Sequence, residues 1–279
     1  MPSWVALFRK FTNVAALTAF AALSSGCATP GGILDAASSS AQPWVRAQSV
    51  ADAAGQALER GGIRAIGSHV ADLERELSGA KQAIEAAGAS DVVLTDGSTE
   101  TLGALLIASA EKQKNGQQGS VAAVPNPYRA ISFFLGAYYN EMGKQAEALR
   151  VLDAGLTLPG PLAAGPLADS DLGEFVPPIL SERGVALAAL DRWQDSLDNF
   201  DRALKIKFLM DPARARMLRG RGVALIELKR LDDAEAAFNE SLKLERNERA
   251  LGEIRYIENL RKGGAEAPFV QTTGSSAPQ

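Results

Sequence analysis

The chain is predicted to be all-α: a solenoid of stacked helical hairpins, with a helical extension before it, a cleaved leader at its start and a disordered tail. Three observations predict this. Arg183-Gly184-Val185-Ala186-Leu187 returns 38 residues later as Arg221-Gly222-Val223-Ala224-Leu225, and internal repetition is the signature of a solenoid. Within each copy the apolar residues recur every three or four positions, the period of a helix with one buried face. Aromatic residues make up only 6% of the chain against 26 glycines, and such density of small residues suits closely packed helices better than a β-sandwich.

The same composition removes whole classes of function. One cysteine, Cys27, and one histidine, His69, cannot build a thiolate–imidazole zinc site or an internal disulfide. A formal charge of −4 has the wrong sign for a nucleic-acid binder. No glycine-rich phosphate loop or calcium-loop spacing occurs, so no metal and no cofactor is implied.

In chain order, residues 1–26 come first. Arg9 and Lys10 precede an apolar run from Phe11 to Leu23, and no acidic residue occurs before Asp35. The run is short for a permanent membrane span, which needs ~20 residues, but has the length of an export-signal core. Ser25-Gly26-Cys27 ends it, with Ser24 one place before. These residues resemble a bacterial lipoprotein signal, in which the cysteine after a small pair is acylated. The resemblance implies that residues 1–26 are removed, that Cys27 becomes the first mature residue, and that its acyl chains hold the protein on a membrane. Ala28 rather than aspartate follows, which in that family implies the outer membrane, facing the periplasm. A soluble periplasmic protein is the alternative. Residues 27–42, with Pro30-Gly31-Gly32 and an Ala/Ser-rich run, read as a flexible tether.

Residues 43–125 read as an N-terminal helical region. Trp44–Arg60 and Ile63–Ala87 are helical by composition. Asp96-Gly97-Ser98 is a turn, Thr101–Lys114 a third helix, and Lys112–Ser120 a polar loop.

Residues 126–262 hold the repeats. The offset of 38 also relates Leu190 to Leu228, Arg192 to Arg230, Asp195 to Asp233, Phe200 to Phe238 and Leu204 to Leu242. An earlier copy runs through Leu135-Gly136, Tyr139, Lys144, Ala148 and Leu152. Each copy holds two helices. Asn126-Pro127 and Asp211-Pro212 each predict an N-cap followed by proline in the first turn. A glycine at one recurring helical place predicts close helix–helix approach, because it otherwise costs about 1 kcal/mol against alanine. These copies resemble tetratricopeptide repeats, in the motif Leu135-Gly136-x2-Tyr139 with Ala148, and in Leu180, Gly184, Ser196 and Phe200, then Leu218, Gly222, Ala234 and Phe238. Ser132, Leu180 and Leu218 stand in the family's Trp slot. Arg183 and Arg221 replace the leucine before glycine, so they must snorkel or pair. Between the first two copies, residues 158–178 hold five prolines and three glycines and read as a long insertion. Residues 248–262 form a capping helix, which a solenoid needs over its last face. Residues 263–279 read as a disordered tail.

No catalytic set emerges. Ser78-Gly79-Ala80-Lys81 fits the S-x-x-K box of penicillin-recognising enzymes but lacks that family's other motifs. His69 sits among apolar residues of a helix, and the acidic runs Asp169/Asp171/Glu174 and Asp232/Asp233/Glu235 suit solvation and capping. The tetratricopeptide resemblance implies a concave groove lined by first helices. Its residues are Phe133, Ala137, Asn140 and Glu141, then Ser181, Val185 and Ala188, then Arg216, Arg219, Val223 and Ile226. Arg216 and Arg219 share a helix face, whereas Arg214 and Arg221 lie on another. The groove predicts a partner segment with an acidic end.

The expected function is therefore non-catalytic: a periplasm-facing lipoprotein scaffold that docks envelope proteins or their peptide segments, in assembly of an outer-membrane, pilus or secretion complex. Two alternatives stay open. One is an envelope enzyme, or a regulator of cell-wall enzymes, acting through residues 43–125. The other is a structural spacer without a specific partner. No nucleic acid and no small-molecule substrate is expected.

Overall fold

The computed structural model describes residues 42–89, 91–95, 98–117, 120–158, 175–206 and 209–263. The leader, Cys27, most of the tether, residues 159–174 of the insertion and all of the tail from residue 264 lie outside them.

The N-terminal region opens with α1 (Pro43–Gly61). Pro43 starts the helix where its missing N–H is no loss. Trp44, Ala47, Ala51, Ala54 and Leu58 form its buried face at alternating spacings of three and four. Gly62, at φ +71°, ends it with its N–H on the Leu58 carbonyl. Residues 63–87, expected as one helix, are three pieces: a 3-10 segment (Ile63–His69), α2 (Val70–Ser78) and α3 (Ala80–Ala89), with Gly79 between the helices. Gly67, inside the 3-10 segment, allows a close approach to the first repeat. A Cβ there would stand 3.2 Å from the Tyr138 hydroxyl, so the segment lies flat against the first repeat.

Strands follow where only helices were expected. β1 (Val92–Thr95) pairs in parallel with β2 (Ala122–Pro125), and α4 (Ser98–Lys114) crosses between them and packs on both. A parallel pair needs such a crossover. The helix therefore takes the first residues of the expected polar loop.

The repeats are α5 (Pro127–Glu141) with α6 (Gln145–Thr157), α7 (Val176–Ala189) with α8 (Trp193–Leu204), and α9 (Asp211–Glu227) with α10 (Leu231–Leu244). Then comes α11 (Glu248–Arg261). Asn126 caps α5, its side chain accepting from the Tyr128 N–H. The second expected cap is displaced by one residue. Met210 is the N-cap of α9, and Asp211 is already helical with proline behind it. Pro177 and Pro178, expected in the insertion, lie in the first turn of α7, where proline is tolerated.

Three turns of identical build join the helices of each pair. Gly143, Asp191 and Lys229 sit at φ +70°, +56° and +61°. The next residue's N–H reaches back to Tyr139, Leu187 and Leu225 carbonyls at 2.8, 3.0 and 2.9 Å. This is the Schellman closure, repeated at the offsets found in the sequence.

First helices contact one another, α5 with α7 and α7 with α9. The second helices pack mainly between the first helices on either side. The stack is therefore tighter on its first-helix face, which makes that face the inner one. One continuous core runs from Trp44 through Leu73 and Leu94 into Ile131, Leu135 and Leu152, so the N-terminal region and the first repeat fold on each other. Further clusters surround Phe200 and Met217, and Phe238 and Ile257.

Candidate interaction groove

The inner face is built from α5, α7 and α9, and the structure divides the expected groove residues into two groups. Phe133, Ala137, Ser181 and Ile226 are buried. Phe133 packs its ring against Phe175, centroids 6.3 Å apart, which fills the first repeat's share of the groove. Val185 is the open apolar centre at 42% exposure, with Ala188 and Val223 half-buried. Glu141 lies at the exposed edge and accepts from Arg64 of the 3-10 segment at 3.1 Å.

A polar chain runs across the three first helices. The Asn140 amide donates to the Glu182 carbonyl at 2.9 Å and to its carboxylate at 3.1 Å. Glu182 accepts from Arg216 Nη2 at 2.6 Å, and Arg216 Nε donates to Ser181 Oγ at 2.6 Å. Charge-assisted bonds of this kind between half-buried groups fix the spacing of α5, α7 and α9. Arg219 stands outside this chain, donating from Nη1 to Glu245 Oε2 at 2.9 Å. Glu182 and Glu245 were not legible in the sequence. Each meets an arginine of α9 from a different element, and no repeat offset links either pair.

The arginines that break the repeat motif do pair. Arg183 of α7 donates to Asp153 of α6 at 2.6 Å and to Asn199 of α8 at 3.2 Å, and Arg221 of α9 donates to Asp201 of α8 at 2.7 Å. Arg214 donates to the Leu204 and Ile206 carbonyls. Arg214 and Arg221 thus face α8 and its end, away from Arg216 and Arg219.

The rejected catalytic sites have plain structural roles. The Ser78 hydroxyl donates to the Arg75 carbonyl at the end of α2. Asp232 and Glu235 both hold Arg261 of the capping helix, and Asp233 holds Arg230. Asp169, Asp171 and Glu174 lie outside the described residues. Among the described residues no cluster of acidic, histidine or cysteine side chains could hold a metal ion, and no helix is long and apolar enough to cross a membrane.

Two cavities are found among the described residues. One of about 360 Å³ lies between α3, β1 and α4, walled by Ile84, Val92, Leu94 and Ile107, with the Asp91–Lys112 ion pair among its lining residues. The other, of about 590 Å³, lies between α6 and α8 beside Arg183, and its charged side chains are largely engaged with one another.

A stack of glycine-notched helical hairpins with an inner apolar strip defines a helical-repeat interaction scaffold. Residues 176–247, which span α7 to α10, match the tetratricopeptide repeat family model. That segment is thus similar to tetratricopeptide repeats, modules that in general bind proteins or peptides, and the first pair, α5–α6, has the same build outside it. No curated protein and no solved structure matches the chain.

Proposed function

We propose that this protein is a lipid-anchored scaffold of the cell envelope that faces the periplasm. In this reading its inner face holds an extended or helical segment of another envelope protein during assembly of an outer-membrane, pilus or secretion complex. The observation that carries the docking part is the open strip of Val185, Ala188 and Val223 beside Arg219. It is apolar, lies on the tighter face of the stack, and ends at a charged group able to orient a segment. The anchoring part is supported by Arg9-Lys10, the apolar run and Ser25-Gly26-Cys27.

A photo-crosslinking amino acid at position 185, used in intact cells, tests the docking. A discrete adduct at 185, absent when the crosslinker replaces exposed Glu240 on α10, is the expected result. An adduct of equal yield at both positions rejects the groove. The anchor is tested separately with radioactive palmitate. Label is expected on the full chain and lost in Cys27→Ala, and equal labelling of both rejects it.

A further inference from the structure

The two groove arginines differ in how their donors are used, and the difference assigns a role to a residue outside the groove. Arg216 is built in: its Nε and Nη2 are both committed to α7. Among the described residues Arg219 donates only through Nη1, to Glu245. An arginine offers five N–H donors in a planar fork, so the Nε–Nη2 edge of Arg219 keeps its capacity while the side chain is only 19% exposed. Glu245 is not part of a helix. It stands in the short link between α10 and α11 with extended backbone, its side chain 38% exposed.

Resting on the groove reading above, we propose that Glu245 is a built-in competitor, its carboxylate holding the guanidinium that a partner's carboxylate takes. The partner segment this geometry fits has apolar side chains over Val185 and Val223 and a carboxylate reaching Arg219. Exchanging one carboxylate for another leaves the arginine's charge paired throughout. Release is therefore easy for a segment that brings its own acid, and costly for one that would strand Arg219 beside an apolar side chain. Glu245 thereby sets specificity: it screens the arginine from stray anions and lowers affinity for genuine acidic segments by a modest factor. A partly exposed ion pair of this kind corresponds to at most about a fivefold factor.

The probes are two fluorescein-labelled peptides of alternating leucine and alanine, one ending in two glutamates and its twin in two glutamines, titrated by anisotropy on the full chain. The wild-type chain is expected to favour the glutamate peptide. Glu245→Gln should tighten that peptide alone, by up to about fivefold, and Arg219→Gln should erase the preference, with unchanged helical circular dichroism in both. Glu245→Gln leaving both affinities unchanged, or a wild-type chain that binds neither peptide, overturns the proposal. Val185→Asp separates it from the groove reading. If Val185→Asp abolishes binding while Glu245→Gln changes nothing, only the role of Glu245 fails. If Val185→Asp leaves a bound peptide bound, the groove itself is the wrong site and both readings fall.

Discussion

A Cβ on Gly222 would stand 2.7 Å from the ring of Phe238, closer than real Cβ atoms come to their neighbours. Gly184 meets Phe200 and Gly136 meets Leu152 in the same way. In every pair the glycine is on the first helix and its partner is the large residue sixteen positions on, on the second. The notch lets the two helices close on each other, and this contact recurs in all three pairs. It explains why a residue poor for helices recurs inside them.

The notch predicts opposite outcomes for two chemically identical substitutions. Gly222→Ala forces the Phe238 ring or the helix axis to move, and overpacking of this kind costs about 1–3 kcal/mol. Gly252 lies in α11 with nothing within 4 Å of where its Cβ would be, so Gly252→Ala should gain about 0.5–1 kcal/mol from helix propensity alone. Urea midpoints of the two variants should fall on either side of the parent's. Midpoints shifted in the same direction would contradict the assigned packing.

The turns supply a second prediction. Gly143 adopts its left-handed conformation freely, whereas Lys229 at φ +61° bears a Cβ clash with its own backbone. Lys229→Gly relieves that clash and gives back part of the gain as unfolded-chain entropy, leaving about 0.5–1 kcal/mol of added stability. Asp191→Gly should gain less, since aspartate tolerates this region better. A thermal melt that ranks the two the other way would show that other contacts of Lys229 govern the turn.

Legibility in the sequence followed the physics of each feature. The paired helices and the Asn126 cap are local patterns, set by residues a few positions apart, and the recurring glycine showed through the repeat offset, so each could be read directly. The strands β1 and β2 could not. Val92–Thr95 and Ala122–Pro125 are four residues each and too short for an alternation to register, and their pairing is long-range. The break at Ser78–Gly79 was hidden because α2 and α3 keep helical composition across it. The expected groove residues fall on the first helices of the pairs, but which of them stay open was decided by Phe175 and by Glu182 and Glu245, none of which lies in the motif.

Glu74 tests how the N-terminal region is held. Its carboxylate accepts from Tyr139 Oη at 2.8 Å and also from Arg150, tying α2 to both helices of the first repeat. Tyr139→Phe deletes one bond and leaves the ring in place, at a cost of about 0.5–1.5 kcal/mol. Because α2 and α10 do not share a core, the loss should be local. Amide exchange should quicken in residues 70–78 and stay unchanged in 231–244. Uniform quickening would mean that the whole stack opens as one unit.

The same residue, with Tyr128, sets an alkaline limit. Burial pushes both phenols up to about 12, helped at Tyr139 by its bond to Glu74 and at Tyr128 by the nearby Glu76 charge. The folded chain therefore keeps these protons at a pH where the unfolded chain, ionising near 10, has released them. Stability from this source is whole below about pH 10 and falls as pH rises towards 12. An ultraviolet titration of the four tyrosines should show Tyr128 and Tyr139 ionising late and together with loss of helical circular dichroism. Tyr128→Phe removes one proton from the linkage, so its alkaline unfolding should begin at higher pH and rise less steeply. If the onset is the same in Tyr128→Phe as in the parent, deprotonation of this buried phenol is not what opens the fold.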